Sequence, residues 1–154
     1  MIVKYHILFR ACDKVESVHN GQRPFDLNKL ETIKVSFFSL YQSLKGSQYQ
    51  FIIIGDDLSQ ELINFFGFFE DIVVHNAKMG SASKSLQKQI AMALDVPSDE
   101  WIYMCEDDYL HSPQAIKYIS EFIENKEMYL KTSFKKKNYM NRIIGNLSNI
   151  PLII

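Results

Sequence analysis

Trp101-Ile102-Tyr103-Met104-Cys105-Glu106-Asp107-Asp108 runs from an apolar stretch straight into three carboxylates. The apolar half reads as a strand that surfaces from the interior, and so as a rigid platform for whatever follows it. The acidic half is hard to explain by stability, because adjacent carboxylates repel one another. A hard divalent cation relieves that repulsion, since Mg²⁺, Mn²⁺ and Ca²⁺ all take carboxylate oxygens as ligands. The stretch therefore predicts the metal-binding end of a site that handles a diphosphate. The plainer alternative for Glu106 to Asp108 is a solvated acidic loop.

Working outward, other segments end in the same way. Ile2 to Phe9 is apolar and β-branched, and closes on Arg10-Ala11-Cys12-Asp13. Phe51-Ile52-Ile53-Ile54 stops abruptly at Gly55-Asp56-Asp57, and its unbroken hydrophobicity suits a strand buried on both faces. Asp71-Ile72-Val73-Val74-His75 reads as a third, short strand before Asn76.

Helical patterns separate these strands. Leu27, Leu30, Ile33, Phe37, Leu40, Tyr41 and Leu44 recur at three- and four-residue steps, with a capping-box pair at Asn28 and Glu31 and a stop at Gly46. Ser59 is placed to cap a short helix carrying Leu62, Ile63, Phe65 and Phe66. Gly80 and the serines after it lead into a helix expected to turn Leu86, Ile90, Ala93 and Leu94 inward, ended by Pro97. Ser112-Pro113 opens a last helix with proline at its first position and Ile116, Ile119, Phe122 and Ile123 on the apolar side. Phe37-Phe38 and Phe65-Phe66-Phe68-Phe69 read as core, the last pair also suiting a partner surface.

This alternation predicts an α/β fold with a mostly parallel sheet sandwiched by helices. Right-handed crossovers bring the carboxyl ends of parallel strands to one edge, where ligands bind in such sheets. Arg10 to Asp13, Asp56-Asp57, Asn76 and Glu106 to Asp108 should therefore meet there.

The 154 residues suit one domain with a sizeable core, and the apolar share of 47% with 23% charged residues is that of an ordinary globular chain. A formal charge of −1 gives no general polyanion-binding surface, so no nucleic-acid partner is expected. No stretch is long enough to cross a bilayer, and Met1 to His6 lacks a signal-peptide layout, so a cytoplasmic location is expected. Reduced thiols are then the default for Cys12 and Cys105, although their positions at strand ends leave a disulfide open. His6, His19 and His75 have no metal-ligand spacing. Lys131 and Lys135 to Lys137 read as a solvated charge run, and Asn146-Leu147-Ser148 as a glycosylation sequon without consequence in the cytoplasm.

The order of these motifs resembles that of the GT-A glycosyltransferases, most of all family 2. Ile54-Gly55-Asp56-Asp57-Leu58-Ser59 is similar to the family's acidic segment after the second strand, and Asn76-Ala77-Lys78-Met79-Gly80-Ser81-Ala82-Ser83 to its Asn–x–Gly–x–Ser region with a wider gap. Glu106-Asp107-Asp108 takes the place of the metal triplet, with Glu where Asp is usual. The resemblance implies a nucleotide-sugar-binding domain over residues 1–126 and a short C-terminal extension over 127–154. It further implies a metal-dependent transfer of sugar from a nucleoside diphosphate to a glycan, lipid or protein acceptor.

By the same resemblance, Arg10, Ala11 and Cys12 would border base and ribose, and Asp56 or Asp57 would contact the base, commonly uracil. Glu106 and Asp107 would line the nucleotide, with Glu106 facing the ribose or a metal-bound water. Asp108, with Glu106, would hold Mn²⁺ or Mg²⁺. Ser83 and Lys84, at a helix start, read either as an anion contact or as a cap with a solvated lysine, and Arg10 as a phosphate contact or the partner of a nearby acid. His111 is either an acceptor base or a surface residue.

Family members continue past the triplet into an acceptor-binding half, whereas fewer than fifty residues follow Asp108. A reduced acceptor side is therefore expected, which makes self-association reasonable. The competing reading is a non-catalytic nucleotide-sugar-binding module. Receiver and phosphohydrolase patterns want acids after the first strand that Arg10-Ala11-Cys12-Asp13 does not supply.

Overall fold

A computed structural model describes residues 3–14, 23–125 and 152–153. The turn expected at Asn20-Gly21, the basic run at Lys131 and Lys135 to Lys137, the Asn146 sequon and the extension at 127–154, residues 152–153 apart, lie outside the described residues.

The chain alternates β1 (Lys4–Ala11), α1 (Lys29–Ser43), β2 (Gln48–Asp56), α2 (Gln60–Phe66), β3 (Ile72–Ala77), α3 (Ala82–Leu94), β4 (Trp101–Glu106), α4 (Ala115–Glu124) and β5 (Leu152–Ile153). The sheet order is β3-β2-β1-β4-β5, and every pairing is parallel. The protein is thus α/β with a parallel sheet between helices, as the alternation predicts. Among the described residues no helix is long and apolar enough to cross a membrane.

Topology fixes which helix covers which face. The chain steps from β1 to β2 to β3, then returns past β1 to β4, so right-handed crossovers must place α3 opposite α1 and α2. Accordingly, Ile33, Phe37 and Leu40 of α1 and Leu62 and Phe66 of α2 pack with Tyr5, Ile7, Phe9, Phe51 and Ile53 in one buried cluster, which Ile116 and Ile123 of α4 join. Ala93 packs with Leu8, Ile52, Ile54 and Ile102 on the other face. Phe37 lies at the centre of the larger cluster, its ring meeting those of Phe9, Phe51, Phe65, Phe66 and Phe69.

The local signals for α1 and α2 hold. Asn28 and Glu31 form a reciprocal capping box, and Ser59 accepts from the Leu62 amide. Gly46 takes a φ of 84° just beyond α1, a left-handed conformation natural for glycine.

Four expectations need correction. The first strand runs from Lys4 through Ala11, beyond the Phe9 limit of the apolar run, so Arg10 and Ala11 belong to the sheet. The last helix starts at Ala115 behind Gln114, and Ser112-Pro113 forms the turn before it. Phe38 and Phe68 are exposed, because they point away from the faces that bury Phe37 and Phe66.

The fourth correction concerns α3, which buries Ser85, Gln89 and Ala93 and leaves Leu86 40%, Ile90 46% and Leu94 75% exposed. Gln89 explains the rotation: its amide donates to the carbonyls of Leu8 (2.7 Å) and Cys105 (3.2 Å), on neighbouring strands. A polar side chain that satisfies buried carbonyls fixes the helix face more strongly than an apolar stripe does.

Candidate functional site

Between β1 and β4 the chain direction across the sheet reverses, which is where a parallel sheet opens a crevice at its carboxyl edge. A cavity of about 390 Å³ lies there. Its walls are Arg10, Ala11 and Cys12 from the end of β1, Asp56 and Asp57 from β2, Gly80, Ser81, Ala82 and Ser85 around the start of α3, and Glu106, Asp107 and Asp108 from β4. Lys14, Lys29 and Lys78 complete it. The structure thus brings together Arg10, Ala11, Cys12, Asp56, Asp57 and Glu106 to Asp108 as expected from the sequence, but Asp13, Asn76, Lys84 and His111 do not line the cavity, nor does Ser83, which is exposed in the first turn of α3 behind the capping residue Ser81.

The acids have separate partners. Glu106 pairs with Arg10, which lies opposite it in the β1–β4 register, and Arg10 also donates to the Ala82 carbonyl at 2.8 Å. Asp107 is only 7% exposed. It accepts from Lys29 Nζ at 2.7 Å and from the Cys12 amide at 3.0 Å, so it locks the end of β1 to β4. Burial raises the Asp107 pKa above the usual carboxylate value, and the Lys29 charge works against that rise. Asp108 is exposed at the cavity wall.

On β2 the adjacent aspartates divide their work. Asp56 is buried and accepts from the amides of Met79 (2.7 Å) and Gly80 (2.9 Å), which fastens the loop leading into α3. Asp57 sits in a left-handed conformation (φ 53°) and pairs with Lys14 at 2.8 Å and Lys78 at 4.0 Å. Its hydrogen bond to Lys14 leads the causes that lower its pKa. Both aspartates line the cavity, Asp56 buried and Asp57 in its ion pairs with the lysines. Asp13, beyond the cavity wall, accepts from the Ser59 amide at 3.1 Å and ties β1 to the start of α2.

Sequence reasoning missed the three lysines. One signal for Lys29 was available: a cation at the first residue of a helix opposes the helix dipole, so it needs a carboxylate nearby. Lys14 and Lys78 had no such signal, because only the fold brings them to Asp57.

Among the described residues, no three of His, Cys, Asp and Glu converge closely enough to hold an ion by themselves. The donors present fit a different arrangement. Mg²⁺ is commonly held by one or two carboxylates together with substrate phosphates and water. Asp108, and the exposed side of Glu106, match that partial set.

His111 does not line the cavity. Its ring meets the Tyr103 hydroxyl at 2.9 Å, its amide donates to Ser39 Oγ at 3.0 Å, and burial lowers its pKa. Cys12 and Cys105 are both free thiols, and burial pushes the Cys105 thiol far up, which makes it a poor nucleophile. Comparison with known proteins finds no matching family model, no matching curated protein and no matching solved structure.

Proposed function

We propose that this chain binds a nucleoside diphosphate sugar at the β1–β4 crevice and transfers the sugar with the help of Mn²⁺ or Mg²⁺, in the manner of the GT-A enzymes it resembles. One observation carries the reading: acids and bases from three strand ends and a helix start line a single cavity of about 390 Å³. A nucleoside diphosphate needs such a mixture, with cations for its phosphates and acceptors for its base and ribose hydroxyls. Asp57 takes the base side, and the backbone around Ala11 and Cys12 the ribose. Arg10, Lys14 and Lys78 bring positive charge to the phosphates.

Asp108, with Glu106, would hold the cation. When bound, the ion supplies Lewis-acid stabilisation of the charge that grows on the departing diphosphate. Asp107 acts at one remove, keeping Cys12 and β4 in register through its bonds to Lys29 and the Cys12 amide.

Asp108→Ala is expected to lower metal-dependent turnover of a nucleotide-sugar panel by about 100-fold or more, the usual scale for losing a charge-stabilising group. Undiminished metal-dependent activity in that variant would overturn the assignment.

A second reading, a binding module without transfer activity, is favoured by the neutralisation of Glu106 and Asp107 by Arg10 and Lys29. Nucleotide-sugar binding with no hydrolysis or transfer to any acceptor would select it.

A further inference from the structure

We infer that the first turn of α3 is a phosphate seat that holds one end of a diphosphate without a metal ion, an inference that rests on the nucleotide-diphosphate reading above. α3 runs from Ala82 to Leu94, and the residues at its start line the cavity. The free amides and dipole of a helix start favour an anion there.

The second observation is independent of the helix. Ser85, one turn in, lines the same cavity at 3% exposure, and its hydroxyl has no hydrogen-bond partner among the described residues. Arg10, which also lines the cavity, has a buried Nε likewise without a partner among the described residues. Buried polar atoms are rarely left unpaired, and two together at a cavity mark a place for a ligand.

The contrast with other helical serines sharpens the point. Ser39, Ser43 and Ser120 each donate to a carbonyl three or four residues back in their own helix. Ser85 does not. The exposed Ser83 does not either, and of the buried helical serines Ser36 is the other exception; it too lines a cavity, a small cleft of about 70 Å³ that shares Asp108.

The charge for the guest comes from the chain itself. Lys14 and Lys78, both lining the cavity, pair with Asp57, and Arg10 keeps Nε in reserve while its other nitrogens engage Glu106 and Ala82. The seat recognises a phosphate group of a diphosphate, free or attached to a nucleoside.

The experiment is thermal unfolding of the chain in EDTA with inorganic pyrophosphate, UDP or uridine. Pyrophosphate and UDP are expected to raise the melting temperature and uridine is not. Ser85→Ala should fold as well as the parent, since it only removes an unpaired hydroxyl. It should bind pyrophosphate about tenfold more weakly, the scale of one hydrogen bond to a charged group. Lys78→Ala, at a position 84% exposed in its side chain and safe for folding, should also weaken it.

No shift with pyrophosphate in EDTA, or equal binding by parent and Ser85→Ala, overturns the seat. The two proposals fail separately. Mn²⁺-dependent sugar transfer with unaltered pyrophosphate binding in Ser85→Ala sinks the seat alone. Pyrophosphate binding that depends on Ser85, with no affinity for any nucleotide, upholds the seat and sinks the transferase reading.

Discussion

Lys29 and Asp107 form the least replaceable contact at the site, because both side chains are largely buried and the carboxylate also anchors the Cys12 amide. Removing one member of a buried pair strands the other charge, at a cost of roughly 3 kcal/mol. Lys29→Met should therefore lower the urea midpoint by a corresponding amount at neutral pH. The sign of its pH dependence follows from the raised pKa of Asp107. A carboxylate whose folded pKa lies above its unfolded value loses stability as pH rises through the folded pKa. Losing Lys29 raises that pKa further, so the deficit should shrink as the solution is acidified and Asp107 takes up a proton. A deficit that is flat between acid and neutral pH would mean that the pair is not buried as described.

At the scale of elements, α3 offers the clearest test because its amphipathic pattern misleads. Leu86, Ile90 and Leu94 look like an inward stripe, yet the buried face is Ser85, Gln89 and Ala93. Leu94→Glu should change stability by less than about 0.5 kcal/mol, as for other exposed positions. Gln89→Leu should cost about 1–3 kcal/mol, because the buried carbonyls of Leu8 and Cys105 would lose their shared donor. The opposite ranking in urea unfolding would place the leucine stripe inside and refute the helix orientation. Gly55 marks the other constraint among the elements: a Cβ there would come within 2.6 Å of two Leu58 side-chain atoms, so any other residue at 55 would have to displace the buried Leu58 side chain.

For the molecule as a whole, ionisation of buried and partly buried tyrosines sets an alkaline limit. Tyr5, Tyr41, Tyr49 and Tyr103 all have pKa values raised from 10.0, burial leading in each case, and Tyr103 is pushed up to about 12. Such groups stabilise the fold fully below their unfolded pKa and lose that contribution as pH rises through the folded value. Urea midpoints should therefore fall between about pH 10 and 12. Tyr103→Phe should flatten part of the fall, and an unchanged slope would show that Tyr103 titrates normally.

The α/β class, strands β1 to β4 and the caps of α1 and α2 were legible in the residues, since apolar runs and capping pairs act through local physics, whereas the two-residue β5 was not. So was the gathering of Arg10, Asp56, Asp57 and Glu106 to Asp108, because parallel strands must end on one edge. Partnership was not legible. That Arg10 faces Glu106, that Lys29 reaches Asp107, and that Asp56 holds a loop while Asp57 pairs with Lys14 and Lys78 depend on strand order and register. Sequence determines which groups reach the edge; only tertiary structure decides which of them neutralise one another, because that depends on distances between strands far apart in the chain.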